Sequence, residues 1–179
     1  MRSHLLGLTE PDRYLRFGYA ASDEQVGRYV DSIDFERDEV FGIHKRSLEL
    51  IGLAHLAALP GGREAEFGVS VSPAARGRGY GARLFDHAIL HARNRGLDTL
   101  VIHALSENAA MLHIAAAAGE KVERSGGDAQ ARLRLPPDTI GSHLEALLED
   151  GAAELDYRLK REARRIGTRI GGNLGGPTR

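Results

Sequence analysis

The sequence of 179 residues contains no cysteine. This absence excludes disulfides, thiolate metal sites and a cysteine nucleophile, and it fits the reducing cytoplasm, which is the location we expect. Long apolar runs are also missing near the start, where only a short apolar group precedes Pro11. That group is far shorter than a signal-peptide core or a membrane span, so we expect a soluble, untargeted chain with no membrane contact.

Net charge is nearly absent as well. The 24 basic residues are balanced by 25 acidic residues, and the formal charge is -1. No global field therefore draws the chain to nucleic acid or anionic lipid, and a charged partner must be recognised locally. The 42% hydrophobic content suffices for one core, so we expect one compact domain with an appendage.

The first half of the sequence predicts one helix and three strands. A helix is predicted over residues 22–33, followed by an antiparallel hairpin over 40–43 and 48–59. The clearest strand covers residues 64–71, where apolar residues alternate with Glu64, Glu66, Gly68 and Ser70.

The second half predicts a strand, turn and helix unit at its start. An apolar helical stripe follows the glycines after residue 76 and stops at Gly96, and a short buried strand covers 99–102. An alanine-rich helix then runs from 106 to 119, and a last strand covers 129–135. The strands before and after the central helix are expected to be parallel neighbours.

Two prolines at 136 and 137 divide the chain. We predict a compact domain over residues 1–136, a helical extension over 137–170 and a disordered tail over 171–179. The apolar stripes of the extension favour a lid or a homodimer contact. Its basic cluster is interpreted as a solvated helix face, so nucleic-acid binding is not expected.

A glycine-rich turn precedes the central helix. A helix N-terminus presents unpaired N–H groups and a partial positive charge, and glycines let an anion approach the backbone closely. With two arginines on the same rim, the expected ligand is a diphosphate. The turn reads Arg76-Gly77-Arg78-Gly79-Tyr80-Gly81.

Other interpretations of this turn stay open at this point. Residues 77–82 also satisfy the G-x-G-x-x-A dinucleotide fingerprint, although no acidic residue stands at the tip of the next strand to hold a ribose. The turn is also compatible with a tight connection that binds nothing. The nucleoside-triphosphate loop is absent, because no Lys-Ser or Lys-Thr pair follows these glycines.

These residues resemble the GNAT family of N-acetyltransferases, whose cofactor turn reads Q/R-x-x-G-x-G/A between a strand and a helix. Asn108, followed eleven residues later by Gly119, resembles the second cofactor motif of the family. The likeness covers residues 48–122. Within it, the segment 65–69, with Glu66 ten residues before Arg76, is similar to bacterial protein-lysine acetyltransferases of the Pat type.

The resemblance implies an α/β (α+β) fold with a mixed, mostly antiparallel sheet flanked by helices and splayed between its fourth and fifth strands. Acetyl-CoA, the implied co-substrate, would lie in the cleft with its thioester near a free backbone N–H. Asn108 is alternatively a helix cap. The residues implied to bind the cofactor are Val69, Val71, Arg76, Gly77, Arg78, Gly79, Tyr80, Gly81 and Asn108.

The implied reaction is acetyl transfer to a primary amine, either a protein lysine or a small molecule. A lysine amine has a pKa of about 10.4, so a base is useful, and we interpret Glu66 as the general base. The alternative is an exposed strand glutamate like Glu64. Where many members carry a tyrosine acid, this chain has Ala115, which keeps open a non-catalytic acyl-CoA sensor; His113 and Tyr80 are nearby in sequence only.

Histidines raise the question of a metal. His87 and His91 stand four residues apart on the central helix, but the HExxH glutamate and a recognisable third ligand are missing. No metal site is predicted. His55 and His103 are single histidines in apolar strands and are interpreted as core residues.

Overall fold

The computed structural model describes residues 1–119 and 122–135. One sheet contains all six strands of this part, and helices cover both of its faces. The strands are β1 Glu39–His44, β2 Leu50–Ala58, β3 Glu64–Val71, β4 Thr99–Leu105, β5 Glu123–Ser125 and β6 Asp128–Arg134. The helices are α1 Arg2–Leu6, α2 Glu10–Phe17, α3 Asp23–Asp31, α4 Tyr80–Asn94 and α5 Ala109–Ala117.

The sheet order is β1-β2-β3-β4-β6-β5, and only the β3–β4 pair is parallel. The mixed, mostly antiparallel sheet is therefore confirmed, as is the parallel pairing across the central helix. The alternation predicted for residues 64–71 is confirmed in its first half, where Ala65 and Phe67 are each only 1% exposed. In the second half it is not kept, because Val69 and Val71 are half-buried while Ser70 on the opposite face is buried and bonds His4. The charged three-residue strand β5 was not predicted, because it carries no apolar pattern.

The sheet is splayed between β3 and β4. These strands share only three residue pairs, from Glu64 with Thr99 to Glu66 with Val101, whereas β4 pairs with β6 along its whole length to Leu105. The β3 segment after Glu66 therefore has an edge that β4 does not cover. The expected splay is present, but it separates the third and fourth strands of this chain, because the described residues before Glu39 form helices.

Helix α4 packs on the core face of the sheet. Its buried stripe matches the predicted one except that Leu90 is buried and Ile89 only half-buried, and the Phe85 ring stands edge-on to the Phe67 ring with centroids 5.0 Å apart. The helix ends before Gly96, whose φ of 71° suits a left-handed stop. The stripe consists of Leu84, Phe85, Ala88, Leu90 and Ala92.

The opposite face is covered by the N-terminal helices, of which the sequence predicted only one. Helix α3 begins at a capping box in which the Ser22 and Gln25 side chains each bond the other's backbone N–H. It is the third helix and not the first, because α1 and α2 precede it. A second core cluster contains Leu5 of α1, Val26 of α3 and Leu53 of β2.

Three sequence-based predictions about the end of the chain are not tested. The helical extension over 137–170 and the tail over 171–179 lie outside the described residues, and the domain boundary at 136 stays a prediction. None of the five described helices has the length and apolar character that crossing a bilayer requires.

Candidate functional site

The glycine-rich turn joins β3 to α4 through a short 3-10 turn at Pro73–Ala75. Gly77 and Gly79 have φ values of 71° and 74°, in the left-handed region, and Gly79 is the N-cap of α4 without a side-chain cap. A Cβ built on either glycine meets nothing within 4 Å, so the space above the turn is open. The first N–H groups of α4 are therefore placed to bind an anion.

The Arg76 side chain is paired with a residue of another helix. Its Nη2 lies 2.6 Å from Asp12 Oδ1 of α2, and its Nε donates to the Val71 carbonyl at 3.2 Å. Burial raises the pKa of the Asp12 carboxyl, but hydrogen bonds from Thr9 and Arg76 outweigh it and lower the pKa below its usual range. Arg76 thus ties α2 to the turn, while Arg78 stays exposed.

Asn108 caps α5, as the alternative interpretation proposed. Its Oδ1 accepts from the Met111 N–H at 3.1 Å, and its Nδ2 donates to the Leu15 carbonyl of α2 at 3.3 Å. Its contact with pantetheine stays a prediction. At the start of α4, a Cβ on Gly81 would come within 3.2 Å of Ile114, so a small residue here lets α4 and α5 approach closely.

A cavity of about 480 Å³ opens where β3 and β4 part. Its walls are formed by the end of α2 and by strands β3, β4, β5 and β6. The lining residues are therefore far apart in the sequence. Glu66 lines it, at the last residue pair that β3 shares with β4. The charged and polar side chains of the wall include Arg16, Glu66, His103, Glu123, Arg124 and Asp128.

A chain of polar groups behind this cavity was missed by sequence reasoning. Arg16 Nη2 donates to the Tyr29 hydroxyl at 2.6 Å, the hydroxyl lies 2.6 Å from His55 Nδ1, and His55 Nε2 lies 3.3 Å from Asp38 Oδ2. The only sequence signal was His55 in an apolar strand. It is a buried, hydrogen-bonded residue as interpreted, whereas His103 is exposed on the cavity wall.

Burial sets the protonation of this chain of groups. It lowers the pKa of His55 below its ordinary value, although the Asp38 carboxylate opposes the shift. It raises the pKa of the Tyr29 hydroxyl, although the positive charge of Arg16 opposes it. Neutral His55 and neutral Tyr29 are therefore the forms present near neutral pH.

His87 and His91 pack around an aromatic ring. Phe41 of β1 has its centroid 4.7 Å from the His87 ring and 4.9 Å from the His91 ring, and His91 Nδ1 lies 2.9 Å from Glu39 Oε2. Within residues 1–119 and 122–135, no three His, Cys, Asp or Glu side chains group to hold a metal ion.

Ala115 is buried in the main core with 1% of its surface exposed, so it supplies no proton donor at the position of the family tyrosine. His113 of α5 is exposed and Tyr80, at the start of α4, is half-buried. Nothing in their positions assigns either residue the role of an acid.

Solved structures with this fold include several acetyltransferases. The chain is similar to the GNAT domain of S. lividans PAT, with a TM-score of 0.63, 23% identity, and coverage of 74% of this chain and 82% of that chain. It is also similar to a spermidine N-acetyltransferase from Vibrio cholerae solved with CoA and spermine, with a TM-score of 0.57, 20% identity, and coverage of 73% and 85%. These identities show the shared fold.

A third similar structure is a ribosomal-protein-alanine N-acetyltransferase from Brucella melitensis, with a TM-score of 0.58, 17% identity, and coverage of 75% of this chain and 96% of that chain. No curated protein sequence matches this chain significantly.

The sequence profile of the Acetyltransferase (GNAT) family matches residues 8–119, which is more than half of the chain. The match includes Glu66, the whole cofactor turn and the Asn108 cap. Acetyl-CoA is the co-substrate of this family's acetyltransferases. The chain therefore belongs to the GNAT family and is an acetyl-CoA-dependent N-acyltransferase.

Proposed function

We propose that the protein transfers the acetyl group of acetyl-CoA to a primary amine by direct attack, with Glu66 as the general base. One observation carries this proposal. Glu66 lines the cavity at the point where β3 and β4 separate, on the same strand that leads into the cofactor turn. Base and cofactor site are thus joined by a single rigid strand.

The cofactor follows the open edge of β3. Its pyrophosphate binds the amides of residues 77–81 at the start of α4, with Arg78 on the rim. Its pantetheine arm runs along β3 past Val71 and Val69, where the uncovered edge offers main-chain hydrogen-bonding groups. Tyr80 and Asn108 flank this path. The thioester then points toward the base of the splay, beside Glu66.

The reaction needs a neutral amine. Glu66 takes the proton that the amine loses, directly or through a water molecule, as the nitrogen attacks the thioester carbonyl carbon. The new C–N bond forms, the C–S bond breaks, and the departing CoA thiolate takes a proton from solvent. A backbone N–H at the uncovered edge of β3 would stabilise the negative charge on the carbonyl oxygen during attack.

The acceptor class follows from the cavity wall. The carboxylates of Glu66, Glu123 and Asp128 line the same space and attract a cationic amine. A protein lysine and a small-molecule amine both meet this requirement. PAT is similar to this chain in fold, as is a spermidine N-acetyltransferase.

Measuring CoA release with a panel of amines tests the base. We expect Glu66→Gln to lower kcat by roughly 100- to 10,000-fold while leaving CoA affinity unchanged, because the amide cannot accept the proton. Glu64→Gln is the matched control, since Glu64 lies two residues earlier on the same face but is paired with Arg132. Equal losses in both variants would contradict a specific role for Glu66.

The sequence left open a non-catalytic acyl-CoA sensor because Ala115 supplies no acid. Membership of the GNAT family makes the chain an N-acyltransferase, and a thiolate protonated by solvent needs no side-chain acid. Turnover that is lost in Glu66→Gln is the result expected of the enzyme.

A further inference from the structure

The guanidinium of Arg16 lies flat on the sheet beside the proposed base. A Cβ built on Gly68 would come within 2.6 Å of Arg16 Nη2 and 2.7 Å of its guanidinium carbon, so the guanidinium covers this position of β3. Gly68 follows Glu66 by two residues, and residues two apart on a strand share one face at a spacing of about 7 Å. Arg16 and Glu66 both line the cavity, so it presents a cation and a base side by side.

The Arg16 side chain is held in place from behind. Its guanidinium carbon lies 5.2 Å from the Phe17 ring centroid and 5.3 Å from the Tyr29 ring centroid. The hydrogen-bond donors and acceptors are consistent with one another from Arg16 through Tyr29 to His55. Arg16 donates to the Tyr29 hydroxyl, which donates to His55 Nδ1, and His55 Nε2–H faces Asp38. Such support fixes a binding group before its ligand arrives.

Within the described residues, the Arg16 guanidinium has a single hydrogen-bond partner. An arginine side chain carries five N–H donors, and the one side-chain hydrogen bond of Arg16 goes to Tyr29. No carboxylate in the described ranges forms an ion pair with it, whereas Arg13 on the same helix pairs with Asp23. A fixed, half-buried guanidinium that faces a cavity is suited to bind a carboxylate in two-point geometry.

We propose that Arg16 binds an anionic group of the acceptor, so that the acceptor is a free amino acid with its amine against Glu66 and its carboxylate against Arg16. Positions 66 and 68 lie roughly 7 Å apart on one face of β3, so Glu66 and the guanidinium over Gly68 are close enough for one small amino acid to contact both. A polyamine would place a second cation against Arg16 and is disfavoured. This assignment rests on the proposed function, because the amine must face Glu66.

Alanine, β-alanine and glutamate, each offered as the free acid and as the carboxamide, test the assignment. We expect the wild-type protein to prefer the acid in kcat/KM by roughly ten- to a hundredfold, the effect of a charge-assisted hydrogen-bond pair. Arg16→Met should abolish this preference by lowering kcat/KM for the acids toward that for the amides. Arg124→Gln, which removes another arginine of the same wall, should retain it.

Calorimetry separates this inference from the proposed function. If no amine is acetylated, binding of the same acids to the CoA-loaded protein still reports on Arg16, and a loss of affinity in Arg16→Met supports the assignment. If Arg16→Met does not fold, Tyr29→Phe replaces it: this variant removes the hydroxyl that accepts from Arg16 and bonds His55, and it should lower the preference for the acids because the guanidinium loses its support. A ratio of acid to amide that is unchanged in the folded variants would overturn the proposal.

A dipeptide with an N-terminal aspartate tests whether the amine and the carboxylate of the acceptor belong to a free amino acid or to a peptide N-terminus. It presents an amine and a carboxylate at similar spacing but belongs to a peptide N-terminus. Arg16-dependent acetylation of the free amino acids, and not of the dipeptide, supports the assignment. Acetylation of the dipeptide alone would overturn the choice of a free amino acid.

Discussion

His4 and His55 are the two histidines that the described part of the chain buries, with 6% and 7% of their surfaces exposed. His4 Nε2 lies 3.0 Å from Ser70 Oγ, and its Nδ1 lies 3.0 Å from the Leu50 carbonyl. Burial lowers the pKa of both imidazoles below the ordinary value of 6.5, against the opposing effect of their hydrogen-bond partners. Each is therefore neutral in the folded protein where an unfolded histidine starts to protonate.

The free energy of unfolding should consequently fall as the pH drops below 6.5. Below pH 6.5 the unfolded chain binds protons that the folded chain does not bind. The stability that the two neutral histidines contribute is therefore fully present above pH 6.5 and is lost as the pH falls toward their lower pKa in the folded state. Asp38 opposes this loss at His55, as does Glu66, while Arg16 adds to it. Urea unfolding between about pH 5 and pH 8 measures the slope.

His55→Gln should reduce this slope, and His113→Gln, which changes an exposed histidine, should leave it as in the wild type. A wild-type protein that becomes more stable below pH 6.5 would contradict the burial of neutral histidines.

Individual site residues differ in how visible they are in the sequence. Glu66 was proposed because its strand alternates and its distance from the cofactor turn is similar to that in Pat-type acetyltransferases. Arg16 and Tyr29 gave no such signal. They lie on different helices and meet behind the cavity because α2 and α3 pack on one face of the sheet.

The cofactor turn is an element whose backbone conformation can be tested by itself. Gly79 has a φ of 74° and Gly62, in the β2–β3 turn, has a φ of 73°; a Cβ on either meets nothing within 4 Å. Alanine at each position should cost about 1 to 2 kcal/mol of stability through the left-handed conformation. Only Gly79→Ala should also weaken CoA binding, because it alone reshapes the amides at the start of α4.

Denaturant unfolding and CoA calorimetry on the two variants check this pair. Gly62→Ala is a strain control at the opposite end of β3 from the cofactor turn. If both variants bind CoA with the affinity of the wild type, the turn does not bind the pyrophosphate as proposed.

Helix α2 connects the parts of the site. Asp12 pairs with Arg76 of the turn, the Leu15 carbonyl accepts from Asn108 of α5, and Arg16 covers Gly68 of β3. The sequence analysis did not predict this short helix, none of whose eight residues is fully buried. Its polar contacts reach Arg76 and Asn108, more than fifty positions away, as well as the nearby Asp23.

For the whole molecule, the predicted boundary at residue 136 can be tested by truncation. A chain that ends after Pro136 should unfold in one transition and bind CoA, because it keeps every described residue of the main core, of which Leu135 is the last. A chain that ends at residue 127 loses β6 with its buried Ala131 and Leu133 and should not fold. Thermal melting and CoA binding measure both outcomes, and light scattering of the full chain tests the predicted homodimer.

A fragment ending after Pro136 that fails to melt cooperatively would contradict the boundary. It would mean that residues of the predicted extension complete the core.

The sequence by itself determined the features that consecutive residues encode: the alternation of β3, the caps of α3 and α5, and the left-handed glycines before α4. These depend on backbone sterics and local hydrogen bonds, so they can be recognised one segment at a time. Only the tertiary structure decided where β3 and β4 part, and which side chains surround Glu66. Arg16, Tyr29, His55 and Asp38 come together through packing between distant segments, and no local pattern records such contacts.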